Sequence, residues 1–300
     1  MDRPVVFIHT NAQQYLGAVV AAHSFRRQSR QPERFDVRIL RLEQTPQLHA
    51  REGQRYLRMG QMATWYNADL QSFSPLRMMV PQVMGFRGRA LVTDPDVFSV
   101  GGDVLEMLDS DMQDKAVVCR KLPAEKGGGA GKWATSVMLL DCARLTAWRW
   151  DEQIAQMFAG NLDYKRWIQL ADEPAGSIGE LPEIWNSFDK FEPETRLLHM
   201  TERLTQPWKT GLPIDFNTNF QSPLGRLRRK LRDGGWLPAR RFQPHPDPRQ
   251  EALFFSLLQE CLDSGQVTES ELRRSIAAGD LRPDAFAVLA RPTGRDRAAA

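Results

Sequence analysis

The fold class follows from three segments near the start of the chain: PVVFIH at residues 4–9, YLGAVVAAHSFRRQS at 15–29 and FDVRILRLE at 35–43. The first is apolar and β-branched and ends at Thr10–Asn11, which is typical of a strand. The second carries apolar side chains at helical spacing and has a basic exit, and the third alternates apolar and polar residues. A strand, a helix and a strand within about 40 residues make a βαβ unit, so the sequence predicts a parallel sheet.

The rest of the chain continues this alternation. Strands are predicted in GRALVTDPDVF (88–98), KAVVC (115–119), ATSVMLLDC (134–142) and RLLHMT (196–201), and helices in SPLRMMVPQVMGF (74–86), DVLEML (103–108) and RLTAWRWDEQIAQMFA (144–159). Pro81 must kink or end the first of these helices. Residues 43–72 have no clear assignment, and beyond about residue 220 the sequence is helical and basic. We therefore predict an α/β fold, a Rossmann-type mixed sheet flanked by helices, with a C-terminal helical extension.

The composition excludes several classes of protein. Of the 300 residues, 42% are apolar and 26% charged, an ordinary globular mixture that is too apolar for a disordered chain. The longest strongly apolar stretches have about six residues, far short of the roughly 20 that a membrane-spanning helix needs. The opening MDRPVVFIHT mixes acid and base and is no signal peptide. Three widely spaced cysteines fit neither a disulfide framework nor a zinc motif, so we expect a reduced, cytoplasmic compartment.

The net charge of +3 is unevenly placed. Residues 224–250 hold eight basic and two acidic side chains, which makes that segment +6 and the remainder −3. Leu224, Leu227 and Leu231 share one helical face there, and Trp236 follows, which is the composition of a helix at an anionic membrane. A helix packed on the domain with a solvated charged face is the alternative. No nucleic-acid motif accompanies the charge, so we expect no nucleic-acid partner.

The sharpest local signal is Asp94-Pro95-Asp96. Its two carboxylates follow a predicted buried strand, and ligands of α/β folds bind at the carboxyl ends of such strands. A hard divalent cation prefers oxygen ligands. Turn formation with helix capping is the alternative interpretation. Asp109-Ser110-Asp111 has the same spacing but follows a helical run, so it offers an internal comparison.

Four segments in order resemble glycosyltransferase family 8, the retaining GT-A enzymes that include bacterial lipopolysaccharide galactosyl- and glucosyltransferases and glycogenin. They are HTNAQQYLGAVVAAHSF (9–25), FSPLRMMVPQV (73–83), GRALVTDPDVFSVGGDVLEML (88–108) and LLHMTERLTQPWK (197–209). Arg77 precedes Asp94 by 17 residues, as the corresponding arginine does in the family. The resemblance covers about residues 3–215.

The resemblance implies a GT-A-like catalytic domain over residues 1–220, followed by a basic helical extension over 221–300. The implied activity is the metal-dependent transfer of a hexose, with retention, from a UDP-sugar to a glycan or lipid-linked acceptor. The implied location is cytoplasmic, with peripheral contact at the inner face of a membrane through the basic extension.

The implied metal ligands are Asp94, Asp96 and His199, holding Mn²⁺ or Mg²⁺. A buried core histidine is the alternative for His199, because it follows the apolar run RLLHM.

The resemblance implies that residues at the end of the first strand and two basic side chains bind the nucleotide. Thr10 and Asn11 would offer polar groups to the base or ribose, and Tyr15 would stack on the uracil. Arg77 and Lys209 would assist the diphosphate, since a guanidinium fork suits phosphate oxygens. The alternatives are helix-entry packing for Tyr15 and a solvated helix face for Arg77.

The catalytic residues are the least determined part of the resemblance. Asp163 is the closest match to the family's acceptor motif in NLDYKRWIQL, and Asp103 either contacts the donor sugar or caps DVLEML. The acceptor would lie against Lys132–Ser136, Asp163, Trp185 and Asn186. The family's lysine before Pro-Trp is replaced by Gln206, and its glutamine facing the anomeric carbon is absent.

These departures leave a second interpretation open, a catalytically impaired nucleotide-binding relative that acts as a membrane- or partner-docked scaffold. A nucleotidyltransferase is a third possibility. It would need a Gly- and Arg-rich loop after the first strand, which TNAQQY lacks.

Overall fold

The predicted βαβ unit is present in a computed structural model of the chain, which describes residues 3–127, 132–214, 227 and 240–291. Its elements are β1 (Val5–Thr10), α1 (Tyr15–Gln28) and β2 (Asp36–Arg41). The strands pair in parallel, with Val5 opposite Asp36. All six β1 residues are buried, as their continuous apolar sequence requires.

A six-stranded sheet forms the centre of the first unit, Met1–His199. Its further strands are β5 (Arg89–Thr93), β7 (Val117–Lys121), β8 (Trp133–Asp141) and β9 (Ile178–Glu180), and the strand order is β2-β1-β5-β8-β7-β9. The pairs β1/β2, β1/β5 and β7/β9 are parallel, whereas β8 runs antiparallel to both of its neighbours. The predicted α/β class with a mixed sheet is therefore confirmed.

Helices and a hairpin cover the sheet. They are α2 (Pro46–His49), the hairpin strands β3 (Arg55–Arg58) and β4 (Gln61–Thr64), α3 (Val80–Val83), α4 (Val104–Leu108), α5 (Trp150–Ala159) and α6 (Tyr164–Ile168). The segment predicted as one helix over 74–86 is a 3₁₀ turn, Ser74–Met79, followed by α3. Pro81 lies in the first turn of α3, where its missing N–H costs no helical hydrogen bond. The helix predicted over 144–159 begins only at Trp150.

A three-stranded sheet adjoins the end of β5. It consists of β10 (Ser187–Phe188), β11 (Leu197–His199) and β6 (Val97–Ser99) in that order. β11 pairs antiparallel with β6, which sets His199 opposite Val97. Asp94-Pro95-Asp96 is thus the link between a strand of the large sheet and a strand of the small one.

The second unit, Met200–Ala300, is helical over its described residues. Its helices are α7 (Pro248–Asp263), α8 (Glu269–Ala278) and α9 (Ala285–Leu289). Arg282 is buried and binds Glu251 at 2.6 Å and Asp284 at 2.6 Å. Trp208 packs on Phe254 with ring centroids 4.7 Å apart.

The predicted domain boundary at residue 220 and most of the basic segment 224–241 lie outside the described residues. Both stay predictions, as does the membrane contact that the basic segment was expected to make. Within the described residues, no helix has the length and apolar character needed to cross a bilayer.

The chain that leaves the small sheet makes a close backbone approach at Gly101, just beyond β6. A Cβ built there would lie 2.6 Å from the Thr195 carbonyl oxygen, closer than side-chain carbons come to backbone. Gly101→Ala should therefore lower the free energy of unfolding by about 1–3 kcal/mol, measured by urea titration.

Gly176→Ala is the matched control, since a Cβ at Gly176 meets nothing within 4 Å. Its stability should stay unchanged or rise by up to about 1 kcal/mol, because alanine restricts the unfolded chain. Equal stability of both variants would contradict the close approach at Gly101.

Candidate functional site

Three side chains that could hold a metal meet at the junction of the sheets. Asp94 and Asp96 lie in the link between β5 and β6, and His199 ends β11, which pairs with β6. One ligand atom of each lies within 4.8 Å of the others. The Nε2 of His199 is 3.3 Å from Oδ1 of Asp96. The predicted metal ligands are therefore brought together, although His199 lies more than a hundred positions after the two aspartates in the sequence.

The orientation of the His199 ring is fixed by Asn186, which is fully buried. The Asn186 Nδ2 donates to Ser136 Oγ at 3.1 Å, so its Oδ1 faces His199 Nδ1 at 3.1 Å. Because Oδ1 can only accept, Nδ1 carries the proton in the neutral ring, and Nε2 presents its lone pair towards Asp96. Histidines that bind metals are held in this way by a partner on the other nitrogen.

Arg120 holds Asn186 in turn. Its guanidinium donates to the Asn186 carbonyl at 2.7 Å and forms an ion pair with Glu183 at 2.9 Å. The same group lies over the Phe188 ring, 4.5 Å from its centroid. The segment that carries Asn186 is thus anchored on β7, a strand of the large sheet.

The Asp94 carboxylate is held through one of its two oxygens. Arg77 donates to Oδ1 at 2.8 Å, and the Nε2 of His9 lies 2.8 Å from the same atom. Arg77 also donates to Thr135 Oγ1. Among the described residues, these side-chain contacts to Asp94 all use Oδ1, so Oδ2 is available to a ligand.

Charge, rather than burial, controls the ionisation of Asp94. Burial by itself would raise its pKa, but the Arg77 guanidinium and the hydrogen bond from His9 hold that pKa well below its usual range. Burial lowers the pKa of His9 more than Asp94 raises it, and Arg77 adds to the lowering, so His9 is neutral. Asp94 is therefore a carboxylate throughout the physiological range.

At His199, nearby charges raise the pKa instead of lowering it. Burial opposes the charged ring, but the carboxylates of Asp96, Asp94 and Asp189 outweigh it and raise the pKa of His199. With a neutral His199 ring, the two aspartates outnumber the single Arg77 charge, and the raised pKa of His199 is the response of the ring to that surplus of negative charge. Such a surplus favours a cation at this position.

Helix α1 runs close beneath the Asp94-Pro95-Asp96 link. A Cβ at Gly17 would lie 3.0 Å from the Pro95 carbonyl oxygen, tighter than most side-chain contacts. Gly17 thus lets the helix support the link directly.

The residues predicted to bind nucleotide lie mostly within hydrogen-bond networks of the protein. The Thr10 hydroxyl donates to the Asn11 carbonyl at 3.1 Å, and Asn11 Nδ2 donates to Ser72 Oγ at 3.2 Å. Asn11 Oδ1 is buried without a hydrogen-bond partner among the described residues. The Arg41 guanidinium lies 4.3 Å from the centroid of the Tyr15 ring.

The two cations predicted to assist the diphosphate are both buried. Arg77 is only 5% exposed and lies on no solvated helix face. Lys209 is buried in the second unit, with its Nζ 5.7 Å from the centroid of the Phe242 ring.

Both candidate catalytic carboxylates bind backbone amides. Asp163 caps α6 and accepts from the amides of Lys165 and Gly60, at 2.8 and 2.7 Å. Asp103 forms a capping box at α4 and also accepts from Ser29 Oγ at 2.9 Å. Their catalytic roles stay predictions.

His9 and the internal role of Arg77 were missed by the sequence analysis. One signal for His9 was present, since β1 ends with His9-Thr10 and β5 ends directly before Asp94. The register sets Ile8 opposite Thr93, so the next residue of each strand meets the other. That register cannot be read from either segment alone.

No protein-family model and no curated protein matches this sequence. Solved structures with a similar arrangement are glycosyltransferases. The apo bifunctional glycosyltransferase WbbM is 13% identical with a TM-score of 0.46, over 70% of this chain and 48% of that one. The glycosyltransferase GlyE of Streptococcus pneumoniae TIGR4 is 15% identical with a TM-score of 0.47, over 88% of this chain and 64% of that one.

The galactosyltransferase LgtC, solved with donor and acceptor sugar analogues, is 13% identical with a TM-score of 0.44, over 83% of this chain and 99% of that one. The chain thus spans less than two thirds of the length of WbbM and of GlyE. These likenesses are weak, and the functional assignment of this chain depends on its own residues.

Replacing Arg77 tests the buried ion pair. Arg77→Met leaves the Asp94 charge buried beside a neutral histidine, so unfolding at pH 7 should cost about 3–5 kcal/mol less than in the wild type. In the wild type, the pKa of Asp94 is lower in the folded state than in the unfolded state. The ionised carboxylate therefore stabilises the fold above the unfolded-state pKa, and this stabilisation is lost as the pH falls. The difference in free energy of unfolding between the variant and the wild type should therefore become smaller towards about pH 3. Urea titrations at both pH values measure it.

Arg144→Met is the control for the arginine charge alone. Arg144 forms exposed ion pairs with Asp114 at 2.6 Å and Asp141 at 3.2 Å, and such pairs contribute less than about 1 kcal/mol. If Arg77→Met loses as much free energy of unfolding at low pH as at pH 7, the pairing with an ionised Asp94 is contradicted.

Replacing Asn186 tests the orientation of the His199 ring. Asn186→Ala removes the acceptor for Nδ1–H, so the affinity for Mn²⁺ should fall about 10–100-fold. Asn67→Ala is the matched control, because Asn67 binds Trp65 Nε1 at 2.9 Å and the His49 carbonyl at 2.8 Å, away from the cluster. Calorimetric titration with Mn²⁺ measures both, and an unchanged affinity in Asn186→Ala would refute the positioning role.

Proposed function

We propose that this chain is a metal-dependent glycosyltransferase of family 8 that moves a hexose, with retention, from a UDP-sugar to a glycan or lipid-linked acceptor. The observation that carries the proposal is the cluster of Asp94, Asp96 and His199 at the sheet junction. The order of segments that resembles family 8 supports the choice of donor and stereochemistry. The protein would act in the cytoplasm, with its basic extension against an anionic membrane.

The donor set fits a divalent cation. Two carboxylates offer hard oxygens, and His199 offers a nitrogen lone pair that its contact with Asn186 keeps free. Magnesium takes oxygen ligands and keeps several waters, so an imidazole in the donor set favours Mn²⁺ of the two candidates. When bound, such a cation supplies charge neutralisation for the departing diphosphate.

The chain's own residues hold this set rigid. Arg77 and His9 bind Oδ1 of Asp94, Oδ2 takes no part in these contacts, and Asn186 sets the ring of His199. In this proposal Arg77 is a positioning residue, acting on the donor through Asp94 instead of touching the diphosphate directly. The unpartnered Oδ1 of Asn11 accepts a hydrogen bond from the base or ribose.

One observation favours the second candidate function, a nucleotide-binding relative without transferase activity. Asp103 and Asp163 both accept hydrogen bonds from backbone amides at the starts of short helices, so each carboxylate already has a structural role. Release of UDP from a panel of UDP-sugars, with and without Mn²⁺, separates the two. Metal-dependent release supports the transferase, and tight UDP binding with no release from any donor supports the scaffold.

The metal assignment predicts which acidic residues matter. Asp96→Asn and His199→Ala should each abolish metal-dependent binding of UDP, because each removes one of three ligands. Asp109→Asn should bind like the wild type, since Asp109 forms an exposed ion pair with Arg34 at 3.0 Å.

Calorimetric titration with UDP in the presence and absence of Mn²⁺ checks this. Asp96→Asn is preferable to Asp94→Asn, because the second variant also leaves Arg77 buried without its charge partner. Wild-type affinity for manganese and UDP in both Asp96→Asn and His199→Ala would overturn the proposed function.

A further inference from the structure

Asp189 lies directly after β10, the edge strand of the small sheet that carries His199. Its backbone amide donates to the His199 carbonyl at 3.0 Å, which continues the pairing of Phe188 with His199. The rings of Phe188 and His199 are in edge contact, with centroids 5.4 Å apart. Asp189 is therefore fixed to the strand that ends with the imidazole, although it belongs neither to the metal ligands nor to the nucleotide contacts.

The backbone of Asp189 has a left-handed conformation, with a φ angle of 56°. This conformation is uncommon outside glycine, and aspartate and asparagine adopt it more readily than other residues. Here the Asp189 amide is held on β11, and the preceding Phe188 ring contacts both His199 and the Arg120 guanidinium. The turn at Asp189 is thus fixed by the contacts that hold the His199 strand.

The Asp189 carboxylate is largely shielded from water and lies beside a cation. Its side chain is 15% exposed, and its Oδ2 is 3.8 Å from the Nζ of Lys126. Lys126 ends a short 3₁₀ turn, Ala124–Lys126, in the segment that follows β7. The ion pair therefore joins the small sheet to a segment that leaves the large sheet.

The charge of Asp189 acts on the metal cluster from outside the ligand positions. Within the described part of the chain, the candidate ligand atoms that lie within 4.8 Å of one another belong to Asp94, Asp96 and His199. Burial opposes a charged His199 ring, yet the carboxylates of Asp96, Asp94 and Asp189 together raise the pKa of that ring. Asp189 is therefore close enough to influence a charge at the cluster without belonging to the ligand set.

A carboxylate at this position can balance the charge of a bound cation. With a neutral His199 ring, Asp94 and Asp96 carry two negative charges and Arg77 carries one positive charge. A divalent cation would then leave one positive charge in excess at a largely buried place. Because such a charge is costly unless an opposite charge lies near it, a carboxylate beyond the ligand positions strengthens the binding of the cation.

We propose that Asp189 is an outer carboxylate of the metal cluster, whose charge strengthens the binding of a divalent cation, and that Lys126 weakens this attraction. The proposal rests on the metal site of the proposed function and assigns no step of the reaction to Asp189. The carboxylate acts through its field on the cation, and the Lys126 ammonium opposes that field from the other side of the ion pair.

The two members of the ion pair should change the affinity for Mn²⁺ in opposite directions. Asp189→Asn removes a negative charge, so the full chain should bind Mn²⁺ alone about tenfold more weakly, the lower end of the effect of outer-shell partners on metal affinity. Lys126→Gln removes a positive charge and should strengthen the binding about threefold, a smaller effect because water screens its partly exposed ammonium. Calorimetric titration with Mn²⁺ measures both, and the double variant should lie between them.

A purely structural role of the ion pair predicts a different pattern. If Lys126 and Asp189 only tie two segments together, either substitution breaks the tie, and the two variants should change in the same direction or not at all. Asparagine keeps the shape of aspartate and tolerates the left-handed conformation, so Asp189→Asn changes the charge and spares the backbone. An affinity of Lys126→Gln at or below that of the wild type would refute the proposal.

Asp114→Asn is the matched control. Asp114 also has a left-handed φ angle, 62°, and its carboxylate pairs with Arg144 at 2.6 Å. Arg144 follows the end of β8 at Asp141, whereas the β8 residue that binds Asn186 is Ser136, near the start of the strand. Asp114→Asn should therefore bind Mn²⁺ like the wild type, and equal affinities of Asp114→Asn and Asp189→Asn would overturn the role of Asp189.

Failure of this proposal is distinct from failure of the proposed function. If Asp96→Asn and His199→Ala bind Mn²⁺ like the wild type, the metal site is wrong and the outer carboxylate falls with it. If both lose Mn²⁺ while Asp189→Asn binds it like the wild type, the metal site holds and only the role of Asp189 is refuted.

Discussion

The buried contact between Arg77 and Asp94 is the constraint on which the site depends. Removing either charge from water is costly, and the cost is offset only when the pair is close and its remaining donors are satisfied. Arg77 meets this condition by binding Asp94 and Thr135, which ties the turn before α3 to both β5 and β8. His9 stays neutral beside the pair, so it adds a hydrogen bond without a second buried charge. Oδ1 of Asp94 is thereby fixed, whereas Oδ2 is available to a ligand.

Secondary structure brings together three candidate metal ligands from separate parts of the sequence. Asp94 leaves a strand of the large sheet, Asp96 enters a strand of the small one, and His199 ends the strand paired with it. Each of the three side chains therefore lies in or directly beside a paired strand, which holds it more firmly than a long loop would. Gly17 permits the close approach of α1 to the link, and Gly101 permits the close approach of the chain beyond β6 to Thr195. The small sheet thus positions the imidazole of His199 and the carboxylate of Asp96.

The sequence predicted those features that depend on a local pattern of residues. It did not predict contacts that depend on how strands are paired. Apolar runs predicted β1, β5, β7 and β8, and the placement of Asp94 and Asp96 at the end of a buried strand is confirmed. The β3–β4 hairpin was missed because it is half exposed and its alternation is weak. The contacts of His9 with Asp94 and of Asn186 with His199 were missed for another reason. They join strands or turns distant in sequence, and no single segment encodes which residues face each other.

Strand β8 supports the two halves of the cluster through neighbouring residues. The Thr135 hydroxyl accepts a hydrogen bond from Arg77, the guanidinium of the buried ion pair. Ser136, the next residue of β8, accepts from Asn186, which in turn holds the ring of His199. Adjacent residues of one strand therefore hold the carboxylate side and the imidazole side of the cluster, and a shift of β8 would disturb both. The spacing of the candidate metal ligands thus depends on a strand that supplies none of them.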